Sequence, residues 1–178
     1  DCLPILIAGQ RAVAAVHSGW RSAARNIAGK AIAYLVEVAG ERPADLTVWA
    51  GPCIGACCLE MGEEVPQEFI SRDPMAAGFF SRGRKWHLDL RGLVTMQVLR
   101  AGVSSQNLHH INDCTKCQSD KYFSIVVSGD VREVSFPGLS ESNEQKARMI
   151  GFNNIRIPET EFMIKLGVNI DHVATIRQ

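Results

Sequence analysis

Thiols and imidazoles are the side chains best suited to chemistry in this sequence, and they sit where apolar runs end. Six cysteines and five histidines stand among 178 residues. Cys2 precedes a short apolar run at residues 3–8, and His17 follows another at 12–16, with Gly9-Gln10-Arg11 between them. This is the pattern of an antiparallel hairpin, whose open end brings Cys2 and His17 near each other. A thiolate and an imidazole suit zinc, which takes sulfur and nitrogen ligands in tetrahedral geometry. Two protein ligands fall short of the three that a firm site needs. The alternative is a buried thiol and a histidine bonded to a backbone carbonyl.

Gly51-Pro52-Cys53-Ile54-Gly55-Ala56-Cys57-Cys58 is the second group. Glycines at a strand end let backbone N–H groups approach an anion, although the Gly-Lys-Ser/Thr ending of a phosphate-binding loop is missing. A plain glycine turn with small buried cysteines explains the same residues. Cys114-Thr115-Lys116-Cys117 is redox-active or half a zinc site by spacing. Its second half would have to come from Cys57 and Cys58, and an adjacent cysteine pair is expected to chelate poorly. His109 and His110 are expected to straddle a strand, one facing each way. Arg21, just beyond His17-Ser18-Gly19-Trp20, is placed to hold a phosphate or a developing negative charge. Trp20 stacks on a base or caps the core. Asp1, Glu60 and Asp89 are the acid–base candidates.

The elements that must position these groups follow from periodicity. After the hairpin, Ala23, Ile27, Ala31, Tyr34, Leu35 and Val38 recur at helical spacing until Gly40. Residues 46–50 read as a strand and 63–70 as a short helix, whereas 73–83 read as loop. Residues 86–90 lead into a helix ending at Ala101-Gly102. Residues 108–111, 122–127 and 131–136 are the remaining strand candidates. Strands and helices mix without a strict βαβ rhythm, so the fold class is α+β.

Composition bounds the function. Nineteen basic against nineteen acidic residues, with a pI near 7.1, leave no general basic field for nucleic acid. Apolar runs are far shorter than the ~20 residues of a membrane-spanning helix. Cysteines without a signal peptide read as cytoplasmic thiols or ligands. The chain opens Asp1-Cys2-Leu3-Pro4 without methionine, directly in a strand, so an upstream segment is expected. Residues 140–148 are polar with almost nothing to bury, and a new apolar segment opens at Met163.

Asp1-Cys2-Leu3-Pro4, Val16-His17-Ser18-Gly19-Trp20-Arg21, Gly51-Pro52-Cys53-Ile54-Gly55 and Cys58-Leu59-Glu60-Met61-Gly62 occur in that order. With Cys114-Thr115 and Tyr122-Phe123-Ser124 they resemble the laccase-domain family, known as polyphenol oxidases and as purine nucleoside phosphorylases. The resemblance covers residues 1–139 and implies a mixed α/β sandwich holding zinc, or copper in the older view. It implies one cysteine and two histidine ligands. Cys2 and His17 match two of them, and the third belongs to an upstream Val-His-Gly motif absent from this chain, which supports an N-terminal truncation. Ser18 replaces the common alanine. Ile125-Val126-Val127 stands where the family reads Tyr-Arg-Arg. The codons TAT CGT CGT read one base late give ATC GTC GT, so a compensated frameshift is expected there; the nucleotide sequence across codons 122–130 tests it.

The resemblance implies phosphorolysis of adenosine, inosine, guanosine or methylthioadenosine, with adenosine deamination as a side activity. Purine nucleoside and inorganic phosphate would be the partners. Arg21 and the loop of Gly51, Cys53 and Gly55 would hold substrate, and Cys2, His17 and Arg21 would be catalytic. The rivals are a copper polyphenol oxidase, for which five histidines are few, and an inactive fragment that acts by docking on a partner. Residues 163–178 resemble the first strand of pyridoxine 5′-phosphate synthase, with Asn169, Asp171 and His172 at the positions of its Asn-x-Asp-His run. With residues 140–162 as translated spacer, a read-through between neighbouring genes is expected, without that second activity.

Overall fold

Leu3, Ile5 and Ile7 are at most 1% exposed while Pro4, Leu6 and Ala8 between them are half-buried. That two-residue alternation makes the segment a strand with one face in the core. The computed structural model describes residues 1–126. Its strands are β1 (Leu3–Ala8), β2 (Val13–Ser18), β3 (Thr47–Ala50), β4 (Glu60–Met61), β5 (Phe80–Arg82), β6 (Trp86–Leu88) and β7 (Leu108–His110). Its helices are α1 (Trp20–Ala24), α2 (Ile27–Ala39), α3 (Val65–Arg72) and α4 (Leu90–Arg100). The first sheet has the order β2-β1-β3-β7, antiparallel except for the parallel pair β3–β7. A smaller antiparallel sheet has the order β4-β6-β5. This is a mixed α+β architecture, as expected.

One core joins the elements. Ile5, Ile7 and Val48 from the sheet pack in one cluster with Ile32 and Leu35 of α2, Phe69 of α3, and Leu93, Val94 and Val98 of α4. Phe69 also meets Phe80 edge-on at 5.3 Å between ring centres, tying α3 to the small sheet.

The predicted helix over the region of Ala23 to Val38 is two helices. Asn26 takes a left-handed conformation (φ 55°) and its side chain accepts from Gly29 N–H, ending one helix and capping the next. Helix α2 stops at Gly40, whose φ of 64° suits glycine and whose N–H donates to Val36. The expected helix over 63–70 runs instead over α3, where Pro66 stands in the first turn. Residues 74–79 form a 3₁₀ helix and 80–82 a strand, where a loop was expected. Residues 122–126 are turn and irregular chain rather than strand. The candidate strand over 131–136, the spacer 140–162 and the segment 163–178 lie outside the described residues.

The hairpin turn is held from outside. Glu41, 5% exposed, accepts from the backbone N–H groups of Gln10, Arg11 and Ala12, while Arg11 donates back to the carbonyls of Ala39 and Gly40. A Cβ at Gly9 would lie 2.4 Å from the Glu41 carboxyl carbon, so glycine is needed for the carboxylate to reach those donors.

Two stability predictions follow from this packing. Glu41→Ala removes the acceptor of three N–H groups and is expected to cost about 2 kcal/mol, read from the urea midpoint, with Glu41→Gln costing less. Ser18 is fully buried, and among the described residues its hydroxyl has no hydrogen-bond partner. Ser18→Ala is therefore expected to hold or raise stability by about 1 kcal/mol; a lowered midpoint would show that the hydroxyl is satisfied.

Candidate functional site

The strand registers gather the reactive groups at one edge of the first sheet. Pro4 pairs with His17 at the end of β2, and Ile5 pairs with Ala50 at the end of β3. Strand β7 runs parallel to β3 and also ends there, with Ala50 opposite His110. The start of β1 and the ends of β2, β3 and β7 therefore share an edge, and the loops 51–58 and 111–118 leave it side by side. In sheets with parallel pairs, ligand sites commonly lie outside the carboxyl ends of such strands.

Cys2 and His17 are both exposed. His17 stands opposite Pro4 on the sheet face turned away from the core, and the alternation along an extended chain carries Cys2 to the same side. Arg21 is exposed in α1, with its guanidinium 4.3 Å above the half-buried Trp20 ring. Trp49 and His109 stack with ring centres 5.7 Å apart on neighbouring strands. His109 and His110 are both exposed.

The loop amides are largely committed within the protein. Gly51 N–H donates to the Pro4 carbonyl, Ile54 N–H to the Asp1 carbonyl, and Gly55 N–H to Cys114 Sγ at 3.2 Å. A Cβ at Gly51 would lie 2.7 Å from Pro4 Cγ, so this glycine permits close approach to β1. Cys53 is fully buried and forms a parallel bridge with Cys114, and its carbonyl accepts from Thr115 N–H. Burial pushes the Cys53 thiol up, against the pull of Arg91, whose Nη2 lies 3.5 Å from the sulfur. The same nitrogen donates to the Asp113 carbonyl at 2.9 Å. Burial, then Arg91, then His109 hold His110 below the ordinary imidazole value.

The three acid–base candidates have structural partners. The Asp1 carboxylate accepts from Thr115 Oγ1 and from Ile125 N–H, each at 2.7 Å. Glu60 is ion-paired with Lys85, whose hydrogen bond and charge hold its carboxyl below the usual range. Asp89 caps α4 by accepting from Gly92 N–H.

The two cysteine motifs converge, contrary to the expectation for an adjacent pair. The sulfurs of Cys57, Cys58, Cys114 and Cys117 all lie within 4.8 Å of one another. Cys117 Sγ is 3.6 Å from Cys57 Sγ and 3.4 Å from Cys58 Sγ. Burial and the neighbouring thiols of Cys117, Cys57 and Cys114 push Cys58 up to about 12. Burial also opposes ionisation of Cys114. The N–H groups of Cys117 and Gly55, with the thiols of Cys117 and Cys57, outweigh it and bring Cys114 down to about 6. These four residues could hold a metal ion. The missing cue in the sequence was the parallel β3–β7 pairing, which joins segments about sixty residues apart.

With this geometry in place, the family is clear. The family described as multi-copper polyphenol oxidoreductase laccase matches residues 1–132, and the chain belongs to it. A Xylella fastidiosa (strain 9a5c) protein named purine nucleoside phosphorylase is 34% identical over 128 residues, covering 70% of this chain and 48% of that protein. The Escherichia coli (strain K12) purine nucleoside phosphorylase YfiH is 29% identical over 127 residues, covering 70% and 50%. The crystal structure of Bacillus licheniformis hypothetical protein YfiH aligns with a TM-score of 0.65 at 25% identity, covering 70% and 49%. The chain spans about half the length of these proteins. No helix among the described residues is long and apolar enough to cross a membrane.

The loop at 113–122 gives a pH prediction. Hydrogen bonds from Lys121, Tyr122 and Gln118 hold the Asp113 carboxyl down to about 2. An unfolded aspartate titrates near 3.9. The stability Asp113 supplies is therefore whole above about pH 4 and lost as pH falls toward about 2. Carboxyl chemical shifts followed through an acid titration should put its midpoint near 2, and a midpoint near 4 would show those bonds to be idle.

Proposed function

We propose that this chain forms part of a metal-dependent purine nucleoside phosphorylase with adenosine deamination as a side activity. The reading is carried by one observation: Cys2 and His17 lie exposed at the same sheet edge, and Arg21 is exposed in the helix that follows β2. The names of relatives at about 30% identity support the reaction class.

The donor set fits zinc, with copper as the alternative, because a thiolate and an imidazole leave room for a further ligand. Cys2 and His17 would hold the ion with a histidine such as that of the family's Val-His-Gly motif. Such an ion supplies Lewis acidity next to the purine or to an attacking water.

The other steps belong to the protein's own groups. Arg21 offers a planar fork of N–H donors to the phosphate, and its stacking on Trp20 limits the guanidinium's freedom. In phosphorolysis a phosphate oxygen forms a bond to the anomeric carbon while the bond to the purine nitrogen breaks. The electron pair leaves with the purine, which then takes a proton. Arg21 would orient and neutralise the incoming anion on one side. Gly51, Cys53 and Gly55 would shape the wall of the site, since the N–H groups of Gly51 and Gly55 already have partners.

The copper oxidase reading has less support. His17 lies on β2, His87 on β6, and His109 and His110 on β7. Among the described residues no three histidines draw together.

Adenosine and phosphate supplied to the purified full chain should yield adenine and ribose 1-phosphate. Arg21→Ala is expected to raise the phosphate KM by roughly tenfold or more, the worth of a charged hydrogen bond. Cys2→Ala should lower metal content and abolish turnover. Inosine as sole product would turn the assignment to deaminase, and no product from either reaction would overturn it.

A further inference from the structure

We propose that Cys57, Cys58, Cys114 and Cys117 form a second metal centre, a closed four-thiolate site for zinc that ties the loop 111–118 to the loop 51–58. It shares no ligand with Cys2 and His17 and does not rest on the phosphorylase reading.

Distances carry the argument first. Zinc binds thiolate sulfur at about 2.3 Å, so the sulfurs of a tetrahedral four-sulfur site lie about 3.8 Å apart. Here two sulfur pairs lie 3.4 and 3.6 Å apart, and all four sulfurs lie within 4.8 Å of one another. Sulfur shifts of no more than about 1 Å, the scale of a side-chain torsion change, bring the four sulfurs to that spacing.

The backbone around the sulfurs is already organised. Cys58 and Leu59 both donate N–H to the Gly55 carbonyl, which folds Cys57 and Cys58 into a tight turn. Gln118 N–H donates to the Cys114 carbonyl, which curls Cys114 to Cys117 in the same way. The Cys53–Cys114 bridge, with Thr115 N–H on the Cys53 carbonyl at 3.1 Å, sets one turn against the other. Gly55 N–H points at Cys114 Sγ from 3.2 Å, and Cys117 N–H donates to the same sulfur. Donors of this kind orient a metal-bound thiolate and stabilise its charge from outside the ligand set. A Cβ at Gly55 would come within 3.2 Å of Cys57 Sγ, so even the small residue there serves the sulfur cluster.

Four protein ligands leave zinc no open position, so the site is structural. Binding releases the thiol protons as the metal–sulfur bonds form and requires no oxidant or reductant. Its effect is to hold two loops that emerge from the ends of β3 and β7 and that otherwise meet through few hydrogen bonds.

The test uses the full 178-residue chain, reduced and stripped of metal, then titrated with cobalt(II) and with zinc(II). Cobalt should give the visible bands of a tetrahedral ion with thiolate-to-metal charge transfer, and zinc should bleach them. Cys117→Ser should lose one equivalent of metal and those bands, whereas Cys2→Ala should keep the bands. In the wild-type chain, zinc should protect Cys57, Cys58, Cys114 and Cys117 from alkylation that a chelator re-exposes, a reading that does not depend on any variant folding. Absence of thiolate charge transfer in the wild-type chain would overturn the proposal. So would unchanged bands in a folded Cys117→Ser variant. A peptide linking Cys58 or Cys57 to Cys117 by a disulfide in freshly isolated protein would replace the metal centre with a redox pair.

Discussion

Asp1 is the point on which the arrangement of this sheet edge depends. Its carbonyl accepts from Ile54, and its two carboxylate oxygens accept from Thr115 and Ile125. Thr115 is 4% exposed, so its hydroxyl needs that partner. A single residue beside Cys2 thus joins three segments that lie far apart along the chain. The loop after β3 and the loop after β7 are both referred to the start of β1. Ion pairs at the surface, such as Arg42 with Asp45 or Arg82 with Glu63, fix far less.

The same edge explains why function collects there. Strands β3 and β7 run parallel, and β1 runs against β3, so one strand start and three strand ends meet. Backbone groups that the sheet no longer pairs become available to hold loops. The opposite end of the hairpin is occupied by the Glu41 contacts and, among the described residues, presents no comparable cluster of cysteines and histidines. Division of labour between a stapled end and a chemically equipped end follows from strand direction alone.

Much of the core was legible because burial writes a period into sequence. The continuous apolar run over 3–8, ended by Gly9, marked β1, and the hairpin followed from this run and the one over 12–16. The helix break at Asn26 was hidden because the apolar spacing continues across it, while the interruption lies in the backbone conformation. The small sheet was hidden because its strands are two or three residues long and gain their order from Phe69, Phe80 and Trp86. For the site, Cys2, His17 and Arg21 were visible as residue types, and family resemblance gave them roles that local spacing alone could not. The meeting of Cys57 and Cys58 with Cys114 and Cys117 was misjudged because it depends on non-local strand pairing. Local geometry made an adjacent cysteine pair look unfavourable, yet a tight turn lets both sulfurs face the same side.

The Glu41 contacts have a consequence beyond holding a turn. A strand displaced by one position exchanges its two faces completely. Because the carboxylate counts off Gln10, Arg11 and Ala12 in order, a displaced β2 would surrender that match at the tip. The imidazole at its far end would then be driven toward the hydrocarbon interior in place of Ser18. An acidic side chain just past a helix terminus thereby decides, from the other end of the ribbon, that a potential ligand looks outward.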